Sequence, residues 1–139
     1  MIEMVVAIMV GAILLGIAIT SFSGVQERMA TGQAVRAFQG LHARARAQAI
    51  ETGSLTRLWV DVAGDSVTLR RAGTVLETVR FRDELKVDLR GSSFILCMGP
   101  RGYAVTDCNT FNSPVTLGFQ SGTEGQTVEL LPLGQLILR

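Results

Sequence analysis

Hydrophobic and polar positions divide the chain into three stretches. From Met4 to Ile19 no side chain is charged or strongly polar, and only Thr20, Ser21 and Ser23 interrupt the apolar run before Gln26. Read as a helix, Met4 to Val25 would rise about 33 Å at 1.5 Å per residue, enough to cross a hydrocarbon core. Further on, apolar residues recur at Val25, Met29, Val35, Phe38, Leu41, Ala45 and Ala49, mostly three or four apart, which is the spacing of one helix face. Arg28, Gln33, Arg36, Arg44, Arg46 and Gln48 fill much of the remaining surface, and the alanine-rich stretch from Ala43 to Ala49 has high helix propensity. Gly53 supplies a stop near Glu51. The pattern predicts one helix of about fifty residues, apolar all round in its first half and amphipathic in its second.

Beyond Gly53 the pattern changes to short runs rich in Val, Leu, Thr, Phe and Trp between turn residues, which read as strands. The runs are Leu55–Val62, Ser66–Arg71, Thr74–Phe81, Leu85–Leu89, Ser93–Met98, Tyr103–Thr106, Val115–Gln120, Thr127–Leu131 and Gln135–Leu138. Their short connections imply antiparallel pairing. The incomplete alternation of Val67 to Arg70 and of Val75 to Val79 suits sheets with one buried face. No internal repeat and no low-complexity linker occurs.

A chain of 139 residues has room for one domain and an appendage. A cleaved secretory signal does not fit the front end. Such signals open on a basic region and close on a small-residue cleavage site, whereas Met1-Ile2-Glu3 is acidic and helix formers continue to Glu51. Residues 55–139 carry nine basic and nine acidic side chains, so the head is neutral and the surplus behind the net charge of +1 lies on Arg28, Arg36, Arg44 and Arg46. This distribution argues against a dedicated nucleic-acid binder, which needs a dense basic face.

Candidate chemistry is sparse. His42 is the single histidine and cannot build a usual zinc site alone. No Gly-x-Ser-x-Gly, no phosphate-binding glycine loop and no defensible Ser/His/Asp arrangement occurs. The residues point to no catalytic site, no cofactor and no metal. Trp59 and Tyr103 lie in strand-like runs and read as core or cross-strand packing residues. Arg70, Arg71, Arg80, Arg82, Lys86 and Arg90 interleave with Glu77, Asp83, Glu84 and Asp88, as on a solvated mixed-charge face. Cys97 and Cys108 leave two readings open. They could form a disulfide worth on the order of 3 kcal/mol, or remain buried thiols if residues 93–107 form a tight hairpin around Pro100-Arg101 that sets Cys97 opposite Ala104.

Glu3 is the most informative side chain. A carboxylate beside a lipid-spanning run costs about 2.5–3.5 kcal/mol at the helix centre and less near its edge, so it marks function and needs a partner. Gly11 and Gly16 lie inside the span, where small residues let helices approach closely.

A long helix, apolar first and amphipathic later, ahead of an antiparallel β-domain resembles the architecture of type IV pilins. Met1-Ile2-Glu3-Met4-Val5-Val6-Ala7-Ile8 resembles the start of mature pilins, and Ile17-Ala18-Ile19-Thr20-Ser21-Phe22-Ser23 resembles the segment that follows it there. Residues 43–58, Gly99-Pro100-Arg101-Gly102-Tyr103-Ala104 and Leu133-Gly134-Gln135-Leu136 are similar to the GspH/FimT branch, the minor pseudopilins H of type II secretion and the T-type fimbrial minor pilins. Three departures stand out. Met1 falls two residues after the family's mature start, Thr20 stands where many members have a kinking proline, leaving Gly11, Gly16 and Gly24 as soft points, and Gln135 stands where the closing motif often has arginine.

The resemblance implies an α+β, type IV pilin-like fold, one long N-terminal helix packed on an antiparallel β-sheet head. Residues 1–25 would be the transmembrane and filament-core half, and residues 26–139 the globular head, made of an amphipathic helix over 26–52 and a β-domain over 54–139. It implies a structural subunit without enzymatic activity that assembles with other pilin or pseudopilin subunits in a helical filament. Glu3 would pair with the amino terminus of a neighbouring subunit. The inner membrane would hold the monomer with its head in the periplasm, and a prepilin peptidase would act on it where a leader precedes the sequence. Two alternatives remain: a DNA-contacting minor pilin of natural transformation, which the neutral head and Gln135 argue against, and a single-pass membrane-anchored β-domain protein unrelated to filaments, which leaves Glu3 and the second half of the helix unexplained.

Overall fold

The computed structural model describes residues 2–139; Met1 and the side chains of residues 18–21, Thr20 among them, lie outside the described residues. Helix α1 runs without a break from Ile2 to Thr52. It ends because Gly53 takes up a left-handed φ of 59°, a conformation open to glycine without Cβ strain, and donates its N–H back to Ile50 O.

Eight strands follow: β1 (Thr56–Asp61), β2 (Ser66–Arg71), β3 (Thr74–Arg80), β4 (Asp88–Gly91), β5 (Phe94–Met98), β6 (Val115–Ser121), β7 (Glu124–Leu130) and β8 (Leu136–Leu138), with a short helix α2 (Phe81–Leu85) between β3 and β4. They form two antiparallel four-stranded sheets, ordered β3-β2-β1-β5 and β4-β6-β7-β8. Strand β1 turns Leu58 and Val60 inward and Arg57, Trp59 and Asp61 outward, the period-2 alternation of a sheet with one wet face.

The second half of α1 lies against both sheets, touching β1, β2 and β5 of one and β6 and β7 of the other. Thr31, Ala34, Val35, Phe38, Leu41, Ala45 and Ala49 form its buried stripe. Val25 and Met29, expected on that stripe, are 52% and 59% exposed. Thr31 takes the place they were expected to share, since its hydroxyl donates back to Glu27 O and Arg28 O at 3.2 and 3.0 Å, and a self-satisfied hydroxyl is cheap to bury. At the centre, the Phe119 ring lies 5.8 Å from Phe38 and 5.6 Å from Phe81, so helix, short helix and second sheet meet in one aromatic cluster.

Two expectations are corrected. The strand expected over Thr74–Phe81 ends at Arg80, and the one expected over Leu85–Leu89 begins at Asp88, because α2 stands between them. Asp83 and Glu84 favour a helix start there, and Glu84 reaches back to accept from the Arg80 N–H at 3.2 Å, in the manner of a capping box. The run Tyr103–Thr106 makes only a single bridge, Met98 to Ala104. After that rung Cys108 and Asn109 both donate to Val105 O, and this turn carries the chain back over β5.

The returning segment closes the edge of the first sheet with side chains instead of a strand. Asn109 Oδ1 accepts from Cys97 N, Thr110 Oγ1 accepts from Ile95 N, and Thr110 N donates to Ile95 O. Covered this way, β5 offers no free row of donors to another chain. Cys97 and Cys108 are disulfide-bonded with Cα atoms 5.8 Å apart. The tight turn around Pro100-Arg101 does form, with Gly102 N donating to Gly99 O and Val105 N to Cys97 O, and the turn that follows at Val105 brings Cys108 back to Cys97, so the hairpin does not exclude the bridge.

Asp65 joins the two sheets. It sits in the β1–β2 turn at φ 46°, and its carboxylate is buried. One oxygen accepts from Leu89 N of β4 at 2.6 Å and the other meets Arg82 at 2.7 Å, while its carbonyl accepts from Phe81 N. A buried charge is tolerated when each lone pair is met in this way.

Candidate functional site

Among the described residues no group of three or more His, Cys, Asp or Glu side chains is placed to hold a metal ion. The site with a claim to function is the half of α1 that the chain leaves uncovered. Ile2, Met4, Val5, Val6, Ile8, Met9, Val10, Ile13, Leu14, Leu15 and Ile17 are all exposed, as is Phe22 beyond them. The helix is long and apolar enough to cross a membrane, and none of its most apolar window is buried against the chain. An exposed apolar surface of this size fits a membrane anchor or a helix that packs against other helices.

Glu3 lies in the first turn and is exposed. Among the described residues it meets no partner within the chain. Gly11 and Gly16 face open space, with nothing within 4 Å of where a Cβ would stand. The three residues singled out in the span are thus spread along one free rod, Glu3 at its tip and the glycines further in, and the fold brings none of them to the head. Cys97 and Cys108 belong to the distant loop and its disulfide.

Where the rod meets the head, the structure supplies contacts that the sequence did not reveal. Glu27 accepts from Thr123 N at 3.0 Å and Thr123 Oγ1 at 3.2 Å. Gly122 beside it adopts φ 56°, and a Cβ there would collide with the Glu27 carboxylate. Arg28 donates to Glu124 at 2.8 Å. The β6–β7 turn therefore clips onto α1 at Glu27 and Arg28, near the end of the apolar run. A glycine-containing hairpin tip is visible in sequence, but its pairing with a glutamate 96 positions away is not.

Two further ties lie along the helix. Arg44 Nη1 donates to both carboxylate oxygens of Glu77 on β3 at 2.5 and 2.6 Å. His42 Nε2 bonds Gly134 O at 2.9 Å in the turn before β8, which fixes the tautomer with the proton on Nε2 because a carbonyl only accepts. Burial holds His42 below its ordinary value of 6.5, with Arg46 pushing the same way and the Gly134 carbonyl opposing. The unfolded chain thus takes up a proton that the folded chain refuses between these two values. Stability contributed by neutral His42 is present above the unfolded value and is lost as pH falls through it toward the folded one. Urea midpoints should drop from about pH 7.5 to about pH 5, and the His42→Gln variant should show a smaller drop; equal slopes would show that His42 is not the titrating group.

Taken together, a free apolar half-helix, an amphipathic half clipped onto two antiparallel sheets and a disulfide-closed edge define a type IV pilin-like α+β fold. Solved structures agree. The type IV minor pilin FimU of Pseudomonas aeruginosa superposes with a TM-score of 0.60 at 13% identity, over 81% of this chain and 90% of that one, and in a second crystal form with a TM-score of 0.50 over 73% and 88%. The minor pseudopilin EpsH from the type 2 secretion system of Vibrio cholerae superposes with a TM-score of 0.58 at 15% identity, over 78% and 95%. At such identities the likeness is one of fold. No protein-family model and no curated protein matches the sequence.

Proposed function

We propose that this chain is a minor pilin or minor pseudopilin, a structural and non-enzymatic subunit of a type IV pilus or type II secretion filament. The observation that carries the reading is the rod itself: a 51-residue helix whose large apolar side chains from Ile2 to Ile17 are exposed while its second half is the spine of a folded head. In the membrane the first half spans the lipid. In a filament the same surface packs against sister helices, an exchange that gains little from hydrophobicity because lipid and helix are equally apolar. Close packing at Gly11 and Gly16, ion pairing of Glu3 with a neighbour's amino terminus and an external motor supply the rest. The inner membrane, a prepilin peptidase and other pilin subunits are the partners of this reading, with the head on the periplasmic side.

The test is fractionation. Expressed in a host with a pilus or secretion filament, the tagged chain should appear in sheared filaments together with the major subunit. Retention in the membrane fraction while the major subunit is sheared away would refute it.

The division of labour along α1 is open to a separate test. Residues 26–139 should form a soluble monomer with mixed helix and sheet dichroism, because Glu27 and, among the described residues, every buried residue of the helix stay with the head. An aggregated or unfolded product in sedimentation and circular dichroism would contradict the boundary at residue 25.

A further inference from the structure

The outward face of the first sheet carries a charge arrangement that its own fold does not resolve. Arg57 on β1 and Arg70 on β2 are directly opposite each other in the ladder, and like charges in that position destabilise a sheet pair. Among the described residues neither has an acidic partner; the ion pairs of the head engage Arg28, Arg44, Arg82 and Arg139 instead. The Arg70 guanidinium carbon lies 4.8 Å from the centre of the Trp59 ring, and its Nε is withdrawn from water with no acceptor. A charged donor left in that condition calls for an explanation. Trp59, expected to be a packing residue, remains 39% exposed.

Two clefts meet at this indole. One, of about 310 Å³, is lined by Arg57, Arg70 and Trp59 and closed by Leu55 and Gly73. The other, of about 410 Å³, lies between Trp59, Ile95 and Phe94 and is bounded by Asp61 and Thr110. A basic cleft and an apolar one thus share an exposed tryptophan at their centre.

We propose that this face docks a partner protein through a peptide segment that sets a carboxylate beside an apolar or aromatic side chain. The carboxylate would lie between Arg57 and Arg70, cancelling their repulsion through charge-assisted hydrogen bonds to the guanidinium groups. The apolar side chain would enter the second cleft against Trp59 and Ile95. Tryptophan and arginine are the residues that most often anchor protein interfaces. A bare anion would satisfy the arginines and leave the apolar cleft empty, so a peptide bearing both features fits the whole face better. The surface belongs to the head and is separate from the apolar half of α1, so the proposal stands whether or not the chain enters a filament.

Trp59 is the single tryptophan of the chain, so its emission reports this site directly. The full chain in detergent micelles is panned against a random-peptide display library, and enriched peptides are synthesised and titrated while Trp59 fluorescence is followed. Selected peptides should carry Asp or Glu next to an aliphatic or aromatic residue and shift the emission saturably. Arg57→Gln and Arg70→Gln should each weaken binding roughly tenfold, whereas Arg90→Gln, on the other sheet, should leave it unchanged. Circular dichroism establishes that each variant is folded, and because Arg57 is exposed its variant is informative even where Arg70→Gln disturbs the indole. Enrichment without acidic residues, binding indifferent to both arginines, or displacement by inorganic phosphate as effective as by the peptide would each overturn the proposal.

Discussion

Replacing Phe38 with alanine is expected to destabilise the head by about 3–5 kcal/mol, a large part of what a domain of this size has to lose. The ring is fully buried and touches the Phe119 ring, which in turn contacts Phe81 on α2. Its loss removes the apolar burial of one ring and leaves a cavity. That cavity has little freedom to collapse. The helix is held on either side of it by the Glu27 contact with Thr123 and the ion pair of Arg44 with Glu77, and the sheets are tied to each other through Asp65 and Leu89. Met29→Ala is the matched control: it also truncates an apolar residue of the same helix, but one 59% exposed, and should change stability by less than about 0.5 kcal/mol. Urea unfolding of residues 26–139, followed by Trp59 fluorescence, compares the two. Similar midpoints for both variants would mean that the helix is not the spine of this core.

The contrast between Phe38 and Met29 also marks how far periodicity can be read. Phe38, Leu41, Ala45 and Ala49 were legible as one face because each is apolar and three or four residues from the next. Val25 and Met29 continue the same spacing loosely, yet they fall on the side of Gly32 and Arg36, and the true stripe continues through Thr31, whose polarity conceals it. The helix end at Gly53 was legible because a left-handed cap calls for glycine. Helix α2 was obscured by a strand-like run on either side, and its acidic first turn was the available signal. At Tyr103 the sequence alternates like a strand, but a disulfide and two side-chain acceptors close the sheet edge where a strand was expected.

For the candidate site the division is similar. Glu3, Gly11 and Gly16 stand out in sequence because anything other than a large apolar residue is conspicuous in such a run. Partners for them do not, since the described residues of the chain supply none to Gly11 or Gly16 within 4 Å of a Cβ position and none to Glu3. Arg57, Trp59 and Arg70 come together only through the β1–β2 register. One residue of slip between the strands would put Arg70 on the face opposite Arg57 and Trp59, so composition alone made Arg70 a member of a mixed-charge surface and Trp59 a packing residue.

The second large effect is expected at Glu3, where alanine should leave membrane insertion and head folding intact while sharply reducing incorporation into filaments. Insertion survives because the substitution removes a charge from the edge of a span that is already apolar enough. Folding survives because the β6–β7 turn meets α1 at Glu27, nearly seven helical turns away at 3.6 residues per turn. Incorporation fails because the exposed carboxylate has no partner among the described residues, and among packed helices it must either find a positive group or remain an unpaired charge in a low dielectric. A neighbour's amino terminus can meet that need and at the same time set the axial register between subunits. Glutamine separates charge from shape: it keeps the length and some hydrogen bonding, so an intermediate defect in Glu3→Gln assigns the loss to electrostatics, whereas a wild-type result for glutamine with a defect for alanine assigns it to hydrogen bonding. The measurement is the amount of each variant in sheared filaments relative to the membrane fraction. Incorporation of the alanine variant at the wild-type level would reduce Glu3 to a residue at the water interface and remove ion pairing from the account of assembly.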